Sequence, residues 1–149
     1  MIPNFILRAK AACYIGNGAT AAPSRPGAHD LTFSDGDLSY RDSYFGGTDF
    51  LGQELVWQAG QPIWAMNYYG RILRDDLLTS AQSGAVIRAA LSTLYLQGRF
   101  LGGFDHDHAG FAYHDRSEGD WRAFTGQEQI LQGQTLTYRL DYHGGLIRA

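Results

Sequence analysis

The chain has 149 residues, 44% of them apolar and 18% charged, with a formal net charge of −3. That length fits one domain able to bury roughly two-thirds of its unfolded surface, so no metal or disulfide is needed for folding. Lys10 is the only lysine, and no basic cluster stands ready to neutralise phosphates, which argues against direct nucleic-acid binding. The lone Cys13 rules out an internal disulfide and fits a reducing, cytoplasmic setting. No apolar run is long enough to span a membrane, and Met1–Phe5 lacks the basic start of a signal peptide.

Residues 3–14 predict a short helix, with Phe5, Ile6, Ala9 and Tyr14 near helical spacing and Pro3 in the first turn. Residues 15–29, rich in Gly, Ala, Pro and Ser, predict a surface loop. Its Asn17-Gly18 step lies in no Gly-x-Gly-x-x-Gly or Walker pattern, so a nucleotide cradle is not expected. Residues 31–33 and 38–45 flank an Asp35-Gly36 turn, and residues 50–58 and 62–72 flank a turn at 59–61, predicting an antiparallel meander.

Residues 76–97 give the clearest helix. Ile87, Ala90, Leu91, Leu94 and Tyr95 form one stripe, Asp75 and Asp76 suit the positive end of the helix dipole, and Gly98 suits its termination. Strands then return at 100–104, 111–115, 121–131 and 135–146, with turns expected at 117–120 and 132–134.

The two strand blocks resemble each other. Phe50-x-Gly52-Gln53-Glu54 matches Phe124-x-Gly126-Gln127-Glu128, and Asn67-Tyr68-Tyr69-Gly70 matches Asp141-Tyr142-His143-Gly144, both offset by 74 positions. Tyr40-x-Asp42 matches Tyr113-x-Asp115 at an offset of 73. The expected architecture is a single α+β domain over 1–149, internally duplicated at about 1–73 and 74–149. Each helix-plus-antiparallel-strand unit would need the other to complete a core.

Strand alternation puts Phe50, Gly52, Glu54 and Val56 on one face, and Phe124, Gly126, Glu128 and Ile130 on one face of the second block. A carboxylate among apolar neighbours has a raised pKa unless paired, so Glu54 and Glu128 are candidates for acid–base work or for structural hydrogen bonds. Asn67, Tyr69 and His143 add polar heads, and His143 is a candidate proton carrier. Arg25 and His29 lie in a loop where Arg25 can grip an anion or simply pair with Asp30. Tyr44, Trp64 and Trp121 are expected as pocket walls or core. His106 and His108, in Asp105-His106-Asp107-His108, are weak metal candidates with no further ligand at a diagnostic spacing; a solvated polar turn is the plainer reading.

Four segments, Ser24–Leu31, Asp42–Gly47, Pro62–Gly70 and Tyr142–Ile147, together resemble a bacterial family of uncharacterised domains. Its members occur alone or behind an Xre-type helix-turn-helix, and the likeness runs from about Ala9 to Ile147. The resemblance implies no reaction; it implies a part that senses a small effector, with no cofactor. The expected function is small-molecule binding by Arg25, His29, Tyr44, Glu54, Trp64, Asn67, Tyr69, Trp121, Glu128 and His143. The alternatives are a hydrolase or isomerase using Glu54 or Glu128 with His143, and an interaction module that docks a partner or forms a homodimer through exposed aromatics.

Overall fold

A computed structural model describes residues 1–16 and 19–148; Asn17, Gly18 and Ala149, and with them the expected Asn17-Gly18 loop step, lie outside the described residues. The described residues form two helices and nine strands. In chain order these are α1 (Ile2–Tyr14), β1 (Ala19–Ala21), β2 (His29–Asp35), β3 (Leu38–Gly46), β4 (Phe50–Gln58), β5 (Gln61–Ile72), α2 (Ser80–Leu96), β6 (Phe104–His108), β7 (Phe111–Asp120), β8 (Ala123–Gln132) and β9 (Thr135–Leu146). The strands make one antiparallel sheet in the order β1-β2-β3-β4-β5-β9-β8-β7-β6. α1 is therefore followed by a five-strand meander, β1–β5, and α2 by a four-strand one, β6–β9, and their last strands, β5 and β9, pair at the centre. The α+β class agrees with the sequence reading.

Both helices lie on one face of the sheet, α1 over β2 and β3 and α2 over β6 and β7. Their apolar stripes explain the placement: Phe5, Ile6, Ala9 and Cys13 of α1, and Val86, Ala90 and Leu94 of α2, are buried against it. The core continues into Tyr40, Val56, Trp64, Tyr113, Ile130 and Tyr138. The opposite face carries Gln53, Asn67, Asp141 and His143 in solvent-facing ladders with no layer over them.

Three expected boundaries move. The second helix begins at Ser80, because Thr79 and Gln82 form a reciprocal capping box: the Thr79 hydroxyl accepts from the Gln82 amide at 3.2 Å and the Gln82 side chain accepts from the Thr79 amide at 2.9 Å. Asp76 instead pairs with Arg74 ahead of the helix. Residues 117–120 continue β7, and the chain turns at Trp121-Arg122, where Asp120 accepts from the Arg122 amide at 2.8 Å. Asp105–His108, expected as a polar turn, is the edge strand β6.

Candidate functional site

Two of the hairpins contain a one-residue slip, at Val56/Trp57 between β4 and β5 and at Ile130/Leu131 between β8 and β9. A slip of one residue exchanges the faces of everything beyond it. Past the first, Glu54 lies opposite Met66, so Met66 and Tyr68 turn toward the helices and Asn67 and Tyr69 turn away. Past the second, Glu128 lies opposite Leu140, and Tyr142 turns inward while Asp141 and His143 turn outward.

The helix-facing side holds four acids in two matched sets. Asp42 and Glu54 sit side by side on β3 and β4, and Asp115 and Glu128 on β7 and β8. In the first set the Tyr68 hydroxyl donates to Asp42 at 2.7 Å; in the second, the Tyr142 hydroxyl donates to Asp115 at 2.8 Å. Glycine makes each bond reachable: the ring of Tyr68 crosses Gly52 and that of Tyr142 crosses Gly126, where a Cβ would overlap the ring. Lys10 reaches down from α1 onto Glu54, 2.8 Å from Oε1 and 2.7 Å from Oε2, with both side chains almost wholly buried. The hydrogen bond goes to Oε1, leaving Oε2 with the charge contact alone. Tyr14 has one hydroxyl hydrogen to divide between Asp42 at 3.0 Å and Glu54 at 3.1 Å.

These groups surround a cleft of about 370 Å³ between the helices and the sheet, within the range of small-molecule sites. Glu54, Glu128 and Asp42 reach it from the sheet, Lys10 from α1 and Tyr95 from α2. It continues outward past Gly47 and Arg88. Among the described residues the buried hydroxyls of Tyr40 and Tyr113 are turned toward Glu54 and Glu128, and that of Tyr138, at the cleft, has no hydrogen-bond partner. An unpaired buried polar group carries a desolvation cost of about 1–3 kcal/mol, so Tyr138 marks a place where a partner is missing.

Burial sets the proton chemistry. It raises Glu128 from 4.5 to about 8, with the charge of Asp115 adding to the shift. Asp42 rises because of burial and then the nearby Glu54, against the hydroxyls of Tyr68 and Tyr14. Asp115 rises through burial, opposed by Tyr142 and then by Arg116 and Arg99. Burial and the neighbouring acids also raise the phenols of Tyr14, Tyr95, Tyr113 and Tyr138, which stay neutral donors. The Cys13 thiol is pushed up to about 12 by burial and by Asp42 and Glu54, so it is a poor nucleophile.

The structure thus brings Glu54, Glu128 and Tyr44 to one cleft and separates the other expected residues from it. Asn67, Tyr69 and His143 lie on the far face of the sheet, where Asn67 and His143 meet at 3.3 Å. A mechanism pairing His143 with Glu54 or Glu128 therefore fails on geometry, because the sheet stands between them. Trp64 is buried core, its indole donating to the Trp121 carbonyl at 2.8 Å from the β7–β8 turn. Arg25 donates to Ser43 at 3.0 Å and stacks over Phe45, tying the loop ahead of β2 to the sheet's far face. His29 packs on Tyr44 with ring centroids 5.1 Å apart. His106 stacks on Phe104 along β6, and among the described residues no group of three or more His, Cys, Asp or Glu is placed to hold a metal.

The sequence reading missed Lys10, Tyr14, Asp42, Tyr68, Asp115, Tyr138 and Tyr142. Two signals pointed to them: the matched Tyr40-x-Asp42 and Tyr113-x-Asp115, and a lone lysine on the apolar stripe of a helix.

Fold and cleft together define a small α+β domain in which two helices roof an antiparallel sheet over an acidic, tyrosine-rich hollow. The chain belongs to the family described as a domain of unknown function, DUF5680, which matches residues 42–147. The match takes in α2 and most of the sheet; α1, with Lys10 and Tyr14, precedes it. That description assigns no activity, source or fused regulator. No curated protein and no solved structure matched the chain. Among the described residues no helix is long and apolar enough to cross a membrane.

Proposed function

We propose that this domain binds a small molecule in the cleft between its helices and its sheet. The observation that carries the reading is the cleft itself: about 370 Å³ bordered by the buried Glu54 and by Tyr138, whose hydroxyl has no partner among the described residues. A hollow with this mixture of aromatic wall and a few converging polar heads is the usual form of a ligand site. The likeness to domains that follow helix-turn-helix regulators supports taking the ligand as an effector rather than a substrate.

The matched acid–tyrosine sets support a further part of the reading, that the two halves arose by duplication. The equivalences extend to the hairpin slips at Val56/Trp57 and Ile130/Leu131 and to two stacked aromatic pairs, Phe50–Tyr138 and Phe124–Trp64.

Native mass spectrometry of freshly purified protein, followed by a metabolite screen by thermal shift, tests the binding role. A retained small-molecule adduct or a dose-dependent rise in Tm supports it. Leu91→Trp, which fills the cleft without removing a polar partner, should erase that rise while leaving the unliganded melt nearly unchanged. Protein with no adduct, and no response to any compound, would sink the reading.

A further inference from the structure

The geometry points to an organic cation as the ligand, its positive group seated against Glu128 in the half of the cleft that lacks a lysine. This rests on the binding role proposed above and names the chemical class that fits it.

The first half of the molecule shows how this fold holds an ammonium. The Lys10 head lies 2.8 Å from a Glu54 oxygen and 3.5 Å from the Met66 sulfur, and it faces the rings of Phe100 at 5.4 Å and Tyr14 at 5.9 Å. A carboxylate and two aromatic faces enclose one positive charge, an arrangement in which Coulomb and cation–π attraction act together.

The second half keeps the carboxylate and the helix tyrosine, Glu128 and Tyr95, and omits the charge. With α1 and α2 aligned at an offset of 81, Ala9 matches Ala90, Cys13 matches Leu94, Tyr14 matches Tyr95, and Lys10 matches Leu91. Lys10, Tyr14, Leu91 and Tyr95 all border the cleft. Glu128, the counterpart of Glu54, therefore shares the cleft with a leucine at the helix position from which Lys10 reaches Glu54. Among the described residues Glu128 has no ion pair, and the hydroxyl turned toward its carboxyl is that of Tyr113 on β7. The Tyr138 hydroxyl, also on this side, is buried and unpartnered.

An acidic cluster alone would be a weak sign, since carboxylates can simply hold protons. Here the buried Tyr138 hydroxyl, which borders the cleft, stands unpaired near one of them, and the other half of the fold shows a carboxylate with its cation in place. Counting the cleft-facing side, Asp42, Glu54, Asp115 and Glu128 are matched inside by one cation, Lys10; Arg99 and Arg116 act on Asp115 from the other side, and Arg88 is exposed at the mouth. An anionic ligand would meet this excess of carboxyl groups, with Lys10 already committed.

Binding also has a proton signature. Empty, Glu128 is mostly protonated at neutral pH, facing Asp115 and Tyr113 from β7, Tyr138 from β9, Lys10 from α1, Tyr95 from α2 and Glu54 from β4. A cation docked against it favours the carboxylate, so binding at pH 7 releases a proton.

The test uses the full chain and phenethyltrimethylammonium, whose charge does not titrate, against its uncharged isostere with carbon in place of nitrogen. Calorimetry in buffers of different ionisation enthalpy reads affinity and proton release together. The expected result is a cation that binds at least ~10-fold more tightly than the isostere, equivalent to one charge contact of about 1.4 kcal/mol, with proton release. Glu128→Gln should abolish both the preference and the proton release while leaving isostere binding intact. Leu91→Lys, which supplies the missing ammonium from the protein, should weaken the cation by a similar factor even if the Gln variant folds poorly. Isostere and cation binding equally, or Leu91→Lys leaving cation affinity unchanged, overturns the cation assignment while small-molecule binding stands. Silence from both probes, together with no adduct in native mass spectrometry, removes the binding role as well.

Discussion

In the first half of the chain a buried glutamate meets a lysine; in the second half the matching helix position carries a leucine. Glu54 shares its charge with Lys10, while Glu128, at the matching place in the sheet, is pushed up to about 8 by burial and Asp115. The backbone, the flanking aspartate and the tyrosine across the glycine are the same in both places. One helix position thus separates an acid with a cation beside it from an acid without one. A buried ion pair is poor evidence for stability, because desolvating both charges offsets most of their attraction. Glu54 and Lys10 are better understood as a closed site beside an open one.

The largest effect that would break this contrast lies in the closed half. Lys10→Ala strands Glu54 and should cost about 3–5 kcal/mol in urea denaturation at pH 7. The double variant Lys10→Met with Glu54→Leu should recover most of that loss, since it removes both charges and keeps the volume. A single variant as stable as the native chain would mean the pair is not buried as described.

Next come the glycines beneath the tyrosines. Gly52→Ala or Gly126→Ala forces the ring of Tyr68 or Tyr142 off its carboxylate and should cost about 2 kcal/mol, an overpacking effect plus a lost hydrogen bond. Equal costs at the two positions, measured by denaturant midpoints, would extend the equivalence of the halves from geometry to energetics.

Smaller, and specific to the open half, is the pH dependence of Glu128. Folded, it keeps its proton up to about pH 8; unfolded, it loses it near 4.5. The folded chain binds more protons between those values, so its contribution to stability falls as pH rises through the window and stays low above it. Glu128→Gln should flatten that slope and gain on the order of 1–2 kcal/mol above pH 8, a figure reduced for the residue's partial access to water. Asp42 and Asp115 are also raised, so a shallower slope of the same sign remains. A variant with an unchanged pH profile would show that Glu128 is ionised, and solvated, in the empty cleft.

Much of the frame was legible in the sequence because its signals are local. The meanders show in alternation and Gly-containing turns, and the helices in their apolar stripes. The site was legible only in part, because it depends on register. Continuing the β4–β5 hairpin without its slip would set Asn67 opposite Gly52, on the face of Glu54; the extra residue at Val56/Trp57 sets Gln53 there instead and sends Asn67 outward. The same step at Ile130/Leu131 removes His143 from the side of Glu128 and brings in Tyr142. No single residue announces such a bulge, yet it exchanges every side chain beyond it. Lys10 was hidden for another reason: its partner lies 44 positions away, a separation that no local pattern spans.

The register also sets the smallest expected effect. If the slips place Asn67 and His143 on the uncovered face, His143→Ala removes only the solvent-exposed 3.3 Å contact between them, and Asn67→Ala removes that contact and the exposed 2.8 Å hydrogen bond from Gln53. Each change should then alter stability by no more than about 0.5 kcal/mol and leave any ligand-induced rise in Tm untouched. Tyr142→Phe, one residue away from His143, takes a donor from buried Asp115 and should cost about 1–2 kcal/mol. Neighbours in sequence would then differ several-fold in effect because they stand on opposite faces of one strand. Should His143→Ala instead abolish a ligand response that Tyr142→Phe spares, the site would lie on the bare side of the sheet, and the comparison of closed and open carboxylates would lose its functional meaning.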